Sequence, residues 1–136
     1  MFSLVYVSRS SLVSSGADEQ IDAIVATSVE RNSPAEITGA LLFTGERFAQ
    51  VLEGSASAVR DLMDCIRKDA RHTDIVVIQE GAVPVRRLKA WSMAYSGRST
   101  FAAQIVEQAA AESAQGDDFG TRRLIRLIQE LARSSR

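Results

Sequence analysis

The stretch RFAQVLEG, residues 47–54, carries an amide where the pattern predicts an apolar side chain. If these residues form a strand, alternation places Gln50 between Phe48 and Leu52 on one face. A buried side-chain amide without partners costs about 1–3 kcal/mol, so Gln50 requires hydrogen bonds. Tyr6 lies on the apolar face of a predicted first strand, and its hydroxyl can both donate and accept. We therefore predict a buried Tyr6–Gln50 pair, which by itself fits core packing as well as a binding site.

Other residues with chemical potential also have ordinary structural explanations. Asn32 falls where the first predicted helix ends, and asparagine is a common helix-stop residue. His72 follows the second predicted helix, where a single histidine is more commonly a surface or capping residue than a ligand contact. Cys65 lies beside apolar helix positions, which indicates packing, and Trp91 and Met93 share a strand face, which predicts core. A polar cluster between two helices is thus a candidate site for a planar ligand rich in donors and acceptors.

Composition and motifs exclude several functional classes. The sequence has no G-x-S-x-G elbow, no Walker loop and no G-x-G-x-x-G, so an enzyme is not expected. With one cysteine and one histidine, neither an internal disulfide nor a histidine metal cluster can form. The net charge of −1 gives no basis for binding nucleic acid or an anionic membrane. Without a signal-peptide pattern or a spanning apolar run, we expect a cytoplasmic protein.

The elements that position these residues follow the order βαββαββ, which predicts an α+β ferredoxin-like sheet with two helices on one face. The first helix is predicted to end near Asn32, because Pro34 disfavours a helical conformation at Ser33. The second begins after Gly54 and ends around Asp69. The five predicted strands are 2–8, 37–43, 47–53, 73–81 and 87–95.

Beyond Gly97 the composition changes, and two further helices are predicted at 101–114 and 121–133, separated by the breaker GDDFG. The last of these is too apolar to remain unpacked. Two partners for its apolar stripe stay open: the second face of the sheet, which we favour, or another chain.

Five motifs in this chain resemble, in order and in spacing, the BLUF family of blue-light sensors that use FAD. They are LVYVS with Tyr6, Asn32 followed by ITG, FAQVLEG, IRKDARH and WSM. Together they cover about residues 2–96. The resemblance implies a flavin-binding photosensor domain at 1–97, of the short type. It leaves 98–136 as a helical extension that caps the sheet, mediates oligomerisation or carries the output.

The resemblance also implies site residues. Tyr6 matches the tyrosine that donates an electron and a proton to photoexcited flavin, and Gln50 the glutamine between that tyrosine and the flavin. Asn32 matches the asparagine that hydrogen-bonds the ring. The other implied flavin-contacting residues are Ile24, Ser28, Phe48, Ile66, Asp69 near the ribityl chain, and the Arg71–His72 pair. Trp91 and Met93 match the strand that relays the signal.

The implied cofactor is FAD, with FMN or riboflavin also expected in a recombinant preparation. The implied partners are a separate output protein and further copies of this chain. One departure from the family is Arg31, which stands where many members have the first of two asparagines. Two alternatives remain at this stage: a light-independent interaction module that has lost flavin, and a small acylphosphatase-like hydrolase. The intact Tyr6, Asn32 and Gln50 argue against the first, and the absence of a convincing anion-binding loop argues against the second.

Overall fold

The computed structural model describes residues 1–12, 16–116 and 118–134. Strands and helices alternate there in the order βαββαββαα, as predicted. The strands are β1 (Phe2–Ser10), β2 (Thr38–Phe43), β3 (Arg47–Gly54), β4 (His72–Ala82) and β5 (Trp91–Ser96). The helices are α1 (Ala17–Asn32), α2 (Ala56–Arg67), α3 (Thr100–Ala114) and α4 (Phe119–Ser134).

The five strands form one mixed sheet in the order β4-β1-β3-β2-β5. β1 pairs antiparallel with β3 and with β4, and β2 pairs antiparallel with β3. β5 is added parallel to β2 at one edge of the sheet. The α+β ferredoxin-like prediction is confirmed, with the fifth strand as an addition to the edge.

Each face of the sheet has its own apolar core, because successive side chains of a strand point to opposite faces. On one face α1 and α2 cover a core that includes Leu4, Tyr6, Leu41 and Trp91. On the other face α3 and α4 cover a second core. Its buried members include Val5, Val7, Leu42, Val51, Ile105, Val106, Leu124 and Ile128. The favoured packing of the C-terminal helices is therefore confirmed.

The helix next to the candidate site forms for local reasons. Ser55 is the N-cap of α2, and its hydroxyl accepts a hydrogen bond from Ala58 N at 3.2 Å. The apolar stripe at the expected spacing is buried, as predicted. That stripe consists of Val59, Leu62, Met63 and Ile66.

Three details of the sequence prediction are wrong. β5 begins at Trp91 rather than Arg87, because the backbone N–H groups of Arg87 and Leu88 donate to the carboxylate of Glu53 instead of to a strand. Cys65 is exposed rather than packed in the core. Val29, predicted on the apolar stripe of α1, is 49% exposed because the last turns of the helix bury Ser28 and Asn32 instead. Among the described residues, no helix is long and apolar enough to cross a membrane.

Candidate functional site

A cleft lies between α1, α2 and the sheet face that carries Gln50. It encloses about 70 Å³. Nine of the predicted site residues line it: Tyr6, Ile24, Ser28, Phe48, Gln50, Ile66, Asp69, Arg71 and His72. Residues that are distant in sequence meet here because β1 and β3 are neighbours and both helices cover the same face.

The predicted Tyr6–Gln50 pair is present and extends to a third residue. Tyr6 and Gln50 are directly opposite each other on β1 and β3. Gln50 Nε2 donates to Tyr6 Oη at 2.6 Å, and Gln50 Oε1 accepts from Trp91 Nε1 at 2.8 Å. All three side chains are buried, with exposed fractions of 7% or less. Each end of the amide thus has a hydrogen-bond partner, and these bonds offset the cost of burying the side chain.

The indole of Trp91 determines which way the amide points. An indole N–H only donates, so the atom of Gln50 that faces it must be the acceptor Oε1. That orientation leaves Nε2 facing Tyr6. If the amide turned over while Trp91 stayed in place, two donors would face each other. Rotation of Gln50 therefore requires Trp91 to move as well.

Burial raises the pKa of the Tyr6 hydroxyl far above its ordinary value of 10.0. The hydrogen bond from Gln50 and the positive charge of Arg31 oppose this rise, and the negative charge of Asp69 adds to it. Tyr6 is consequently a neutral phenol at physiological pH. If it loses an electron, its proton becomes far more acidic and must leave with it or soon after.

His72 is a structural member of the cleft wall rather than a surface residue. Its Nε2 lies 2.8 Å from the carbonyl oxygen of Ile66, which only accepts, so Nε2 carries the hydrogen. Nδ1 lies 2.7 Å from the hydroxyl of Ser8, which can donate or accept. The imidazole therefore links β1 to the end of α2 by hydrogen bonds. Its ring also makes edge-to-face contacts with the rings of Tyr6 and Phe48.

Asn32 is buried at the end of α1, with 1% of its surface exposed. Its Oδ1 accepts from Arg31 Nε at 3.4 Å, while its Nδ2 has no hydrogen-bond partner among the residues that the structure describes. A buried donor without a partner is uncommon, because it costs about 1–3 kcal/mol. Asn32 therefore has hydrogen-bonding capacity that the protein itself leaves unused.

Asp69 and Arg71 form a bidentate ion pair beside the cleft. Arg71 Nε donates to both carboxylate oxygens, at 2.9 and 3.1 Å, and Nη2 donates at 2.6 Å. The hydrogen bonds from Arg71 hold the pKa of Asp69 below its ordinary value, against the effect of partial burial. The carboxylate is ionised at neutral pH, and this pair is more exposed than the Tyr6–Gln50 pair behind it.

The structure also shows lining residues that the sequence prediction missed: Thr27, Arg31, Leu41 and Cys65. Helical spacing carried a signal for two of them, because Thr27 and Arg31 lie three and seven residues after Ile24. Three predicted residues do not line the cleft. Asn32 is hydrogen-bonded to the lining residue Arg31, Trp91 is hydrogen-bonded to the lining residue Gln50, and Met93 packs against the core on the same face. Within the described residues, no His, Cys, Asp or Glu cluster could hold a metal ion.

Comparison with known proteins identifies the family of this chain. Residues 1–94 match the family model BLUF, "Sensors of blue-light using FAD". The chain is 36% identical over 91 residues to the photoactivated adenylate cyclase subunit beta of Euglena longa, covering 66% of this chain and 10% of that protein. It is 36% identical over 69 residues to the blue light- and temperature-regulated antirepressor BluF of Escherichia coli K12, covering 51% of this chain and 17% of BluF.

Among solved structures, the dark state of BlrB, a BLUF protein, superimposes with a TM-score of 0.72 at 30% identity. The match covers 98% of this chain and 96% of BlrB. The chain spans only a tenth of the cyclase subunit and less than a fifth of BluF. This chain belongs to the BLUF family, the flavin-based sensors of blue light.

Proposed function

We propose that this protein binds FAD in the cleft between α1 and α2, without a covalent bond, and signals blue light by rearranging Gln50. The observation that carries the proposal is the hydrogen-bonded row Tyr6–Gln50–Trp91, whose first two members stand on the cleft wall. The family supports a flavin and photoreceptor signalling. FAD itself and the roles of the individual residues are part of the proposal, as is a cytoplasmic location.

The residues around the cleft suit a flavin ring, which is flat and has hydrogen-bonding atoms along one edge. Asn32 Nδ2 is an unused buried donor, and Gln50 keeps a second Nε2 hydrogen beyond the one given to Tyr6. Ile24 and Ile66 offer apolar surface from the two helices. The cleft, at about 70 Å³, is smaller than the roughly 300–1,000 Å³ of typical ligand pockets. Entry of the ring therefore requires Arg31 and the Asp69–Arg71 pair to move apart.

When bound, the flavin supplies absorption of blue light and an excited state that accepts an electron. Tyr6 is the donor in this proposal, because it lines the cleft and is hydrogen-bonded to Gln50, whereas Trp91, the other redox-active partner of Gln50, does not line the cleft. Its raised pKa keeps the hydroxyl proton in place in the dark. Loss of the electron to the flavin would release that proton from Oη to the same acceptor, and return of both would restore the neutral phenol. No covalent product is formed, so the lit state decays in the dark.

Gln50 is the element that retains the effect after Tyr6 is restored. Its amide can change which atom donates and which accepts without creating a charge, either by a rotation that exchanges Oε1 and Nε2 or by a tautomerisation that moves a proton from Nε2 to Oε1. In the dark arrangement, Oε1 of Gln50 accepts a hydrogen bond from the indole N–H of Trp91. A rearranged amide no longer presents an acceptor to Trp91, so the hydrogen bond to the indole is broken. The event at the flavin is in this way coupled to β5, a bistable element at the edge of the sheet.

We further propose that the signal passes from β5 to α3 and α4 and then to a separate protein, or to a change in association between copies of this chain. Trp91 and Met93 are the relay residues in this scheme. Among the relatives, one is named an antirepressor and another a cyclase subunit. Those outputs belong to those proteins, and the partner of this chain has still to be identified by lit-against-dark co-purification.

The visible absorption spectrum of the purified protein tests the proposal. We expect bound flavin, identified as FAD after extraction, and a small red shift on blue illumination that reverses in the dark. Tyr6→Phe removes the hydroxyl but keeps the ring, so it should bind flavin and lose the red shift. An unchanged photocycle in Tyr6→Phe would refute the donor role. A colourless protein that does not take up FAD, FMN or riboflavin would favour a light-independent interaction module instead.

A further inference from the structure

Glu53 is a fully buried carboxylate that the site described above does not use. It lies on β3, three residues after Gln50, and its exposed fraction is 0%. By alternation it points to the opposite face of the sheet from Gln50. A buried charge of this kind is expensive unless it is paired and hydrogen-bonded. Its hydrogen-bond partners therefore indicate what it does.

The main partners of Glu53 belong to the segment that precedes β5. Its two carboxylate oxygens accept from Arg87 N at 3.1 and 3.0 Å, and Oε1 also accepts from Leu88 N at 3.0 Å. Arg87 Nε donates at 3.3 Å, and so does the hydroxyl of Thr38 on β2. One side chain of β3 thus binds two successive backbone amides of the β4–β5 connection.

Arg86 holds the same connection from its other side. Its guanidinium donates to Thr38 Oγ1 at 2.8 Å, to the carbonyl oxygen of Glu53 at 3.3 Å and to that of Glu36 at 2.7 Å. Residues 86–88 are therefore bound to the start of β2 and the end of β3 before the chain enters β5.

The position of residues 86–88 determines where β5 starts. Two residues after Leu88, the carbonyl oxygen of Ala90 accepts from Gly39 N at 3.2 Å, and Trp91 is then opposite Gly39. Trp91 must start β5 at this register for its indole to reach Gln50 on the next strand but one. A shift of one residue would turn the indole to the other face of the sheet.

We propose that Glu53 is a positioning residue for the photochemical switch: its carboxylate fixes the register of β5 and thereby holds the Trp91 indole on Gln50. The negative charge and the two acceptor oxygens are both required, because five donor contacts converge on this one side chain. An amide has a single acceptor oxygen, and its NH₂ group would face backbone N–H groups. Only the photochemical consequence rests on the function proposed above. The positioning itself is a property of the protein in the dark.

The chain has one tryptophan, so the indole N–H of Trp91 gives a single, assignable signal in a ¹⁵N–¹H NMR spectrum. In the wild-type protein we expect this signal to exchange slowly with solvent, because the N–H is buried and bonded to Gln50. In Glu53→Gln we expect exchange roughly tenfold faster or more, through local opening of β5. Glu107→Gln is the matched control, because it removes the ion pair with Arg47 at a distance from the β4–β5 connection. Its indole should exchange as in the wild type.

Arg87→Gln provides a second variant that keeps the two backbone hydrogen bonds to Glu53. It should fold even if Glu53→Gln does not, and its indole should exchange at an intermediate rate. Indole exchange as slow as in the wild type, in Arg87→Gln and in any folded Glu53→Gln, would overturn the proposal. The flavin red shift, measured in the same samples, should be reduced or recover faster in Glu53→Gln. If the wild type shows no red shift, the photoreceptor function fails while the exchange rates still decide the role of Glu53.

Discussion

At the scale of single residues, Gln50 derives its potential as a switch from the unlike partners at its two ends. Trp91 can only donate, whereas the Tyr6 hydroxyl can donate or accept. The amide therefore has one orientation that satisfies both partners while the indole is in place. A rearranged amide keeps its bond to Tyr6 and loses its bond to Trp91. In the proposed mechanism, this asymmetry is what allows a side chain without charge to transmit a change to another strand.

The protonation of Tyr6 is predicted to differ between the folded and the unfolded chain. Its folded-state pKa is raised above 10.0, mainly by burial. Above about pH 10 an unfolded chain releases this proton while the folded chain retains it, so the free energy of unfolding should fall as the pH rises further. Ultraviolet absorbance of phenolate, compared between the wild type and Tyr6→Phe, measures the ionisation. A Tyr6 step near pH 10 in the folded protein would contradict the prediction.

At the scale of elements, β3 is the strand that carries both Gln50 and Glu53, the two residues of the proposed mechanism that bind β5 or the segment before it. The side chain of Gln50 lies on one face of the sheet and that of Glu53 on the other. Gln50 is hydrogen-bonded to Trp91 in β5, and Glu53 to Leu88 in the segment before β5. β2 lies between β3 and β5, so the reach from Gln50 to Trp91 depends on a close approach of these three strands. Gly39 on β2 lies directly against the backbone of β3.

Gly39→Ala should destabilise the protein by about 1–3 kcal/mol, because overpacking a strand interface forces the backbone to move. A Cβ at this position would lie 2.2 Å from the carbonyl oxygen of Val51. Gly54→Ala is the matched control, since a Cβ there meets its neighbours at 3.4–3.5 Å, ordinary contact distances. Urea unfolding curves measure both variants. Equal stability of the two would show that β2 and β3 separate without cost.

At the scale of the whole molecule, helices pack on both faces of the sheet, although the side chains of β4 remain largely exposed. α1 and α2 cover the face with the cleft, and α3 and α4 cover the other. The division into a sensor at 1–97 and an extension at 98–136 therefore remains a prediction about function. In structural terms the extension completes the second core. Because β5 contacts the extension directly, a movement of β5 would act on it without an intermediate element.

Ile128→Ala tests whether the extension unfolds together with the sensor. Ile128 on α4 is fully buried against the sheet, so its truncation should cost about 2–5 kcal/mol. Fluorescence of Trp91 reports unfolding on the opposite face, and its transition should move by the same free energy. Phe101→Ala, at a side chain 60% exposed, should change stability by about 0.5 kcal/mol or less. An unmoved Trp91 transition in Ile128→Ala would show that the two parts unfold independently.

Local patterns predicted a large part of this protein. Alternation placed Tyr6 and Gln50 on one face, and the demand of a buried amide for partners predicted their bond. The start of β5 was harder to place, because Glu53 binds Arg87 and Leu88 across more than 30 positions in sequence. Such a contact leaves no periodic signal. The exposure of Cys65 and of Val29 likewise depends on where each helix end lies relative to the sheet.

The sequence by itself determined the order of elements, the faces of each strand and the residue types available to the cleft, because these follow from periodicity and side-chain chemistry. Only the tertiary structure decided the register of β5, and with it the bond from Trp91 to Gln50. It also decided that His72 holds α2 to β1 and that Asn32 is buried with an unused donor. These features depend on contacts between strands and helices that are distant in sequence, and local propensity carries no information about them.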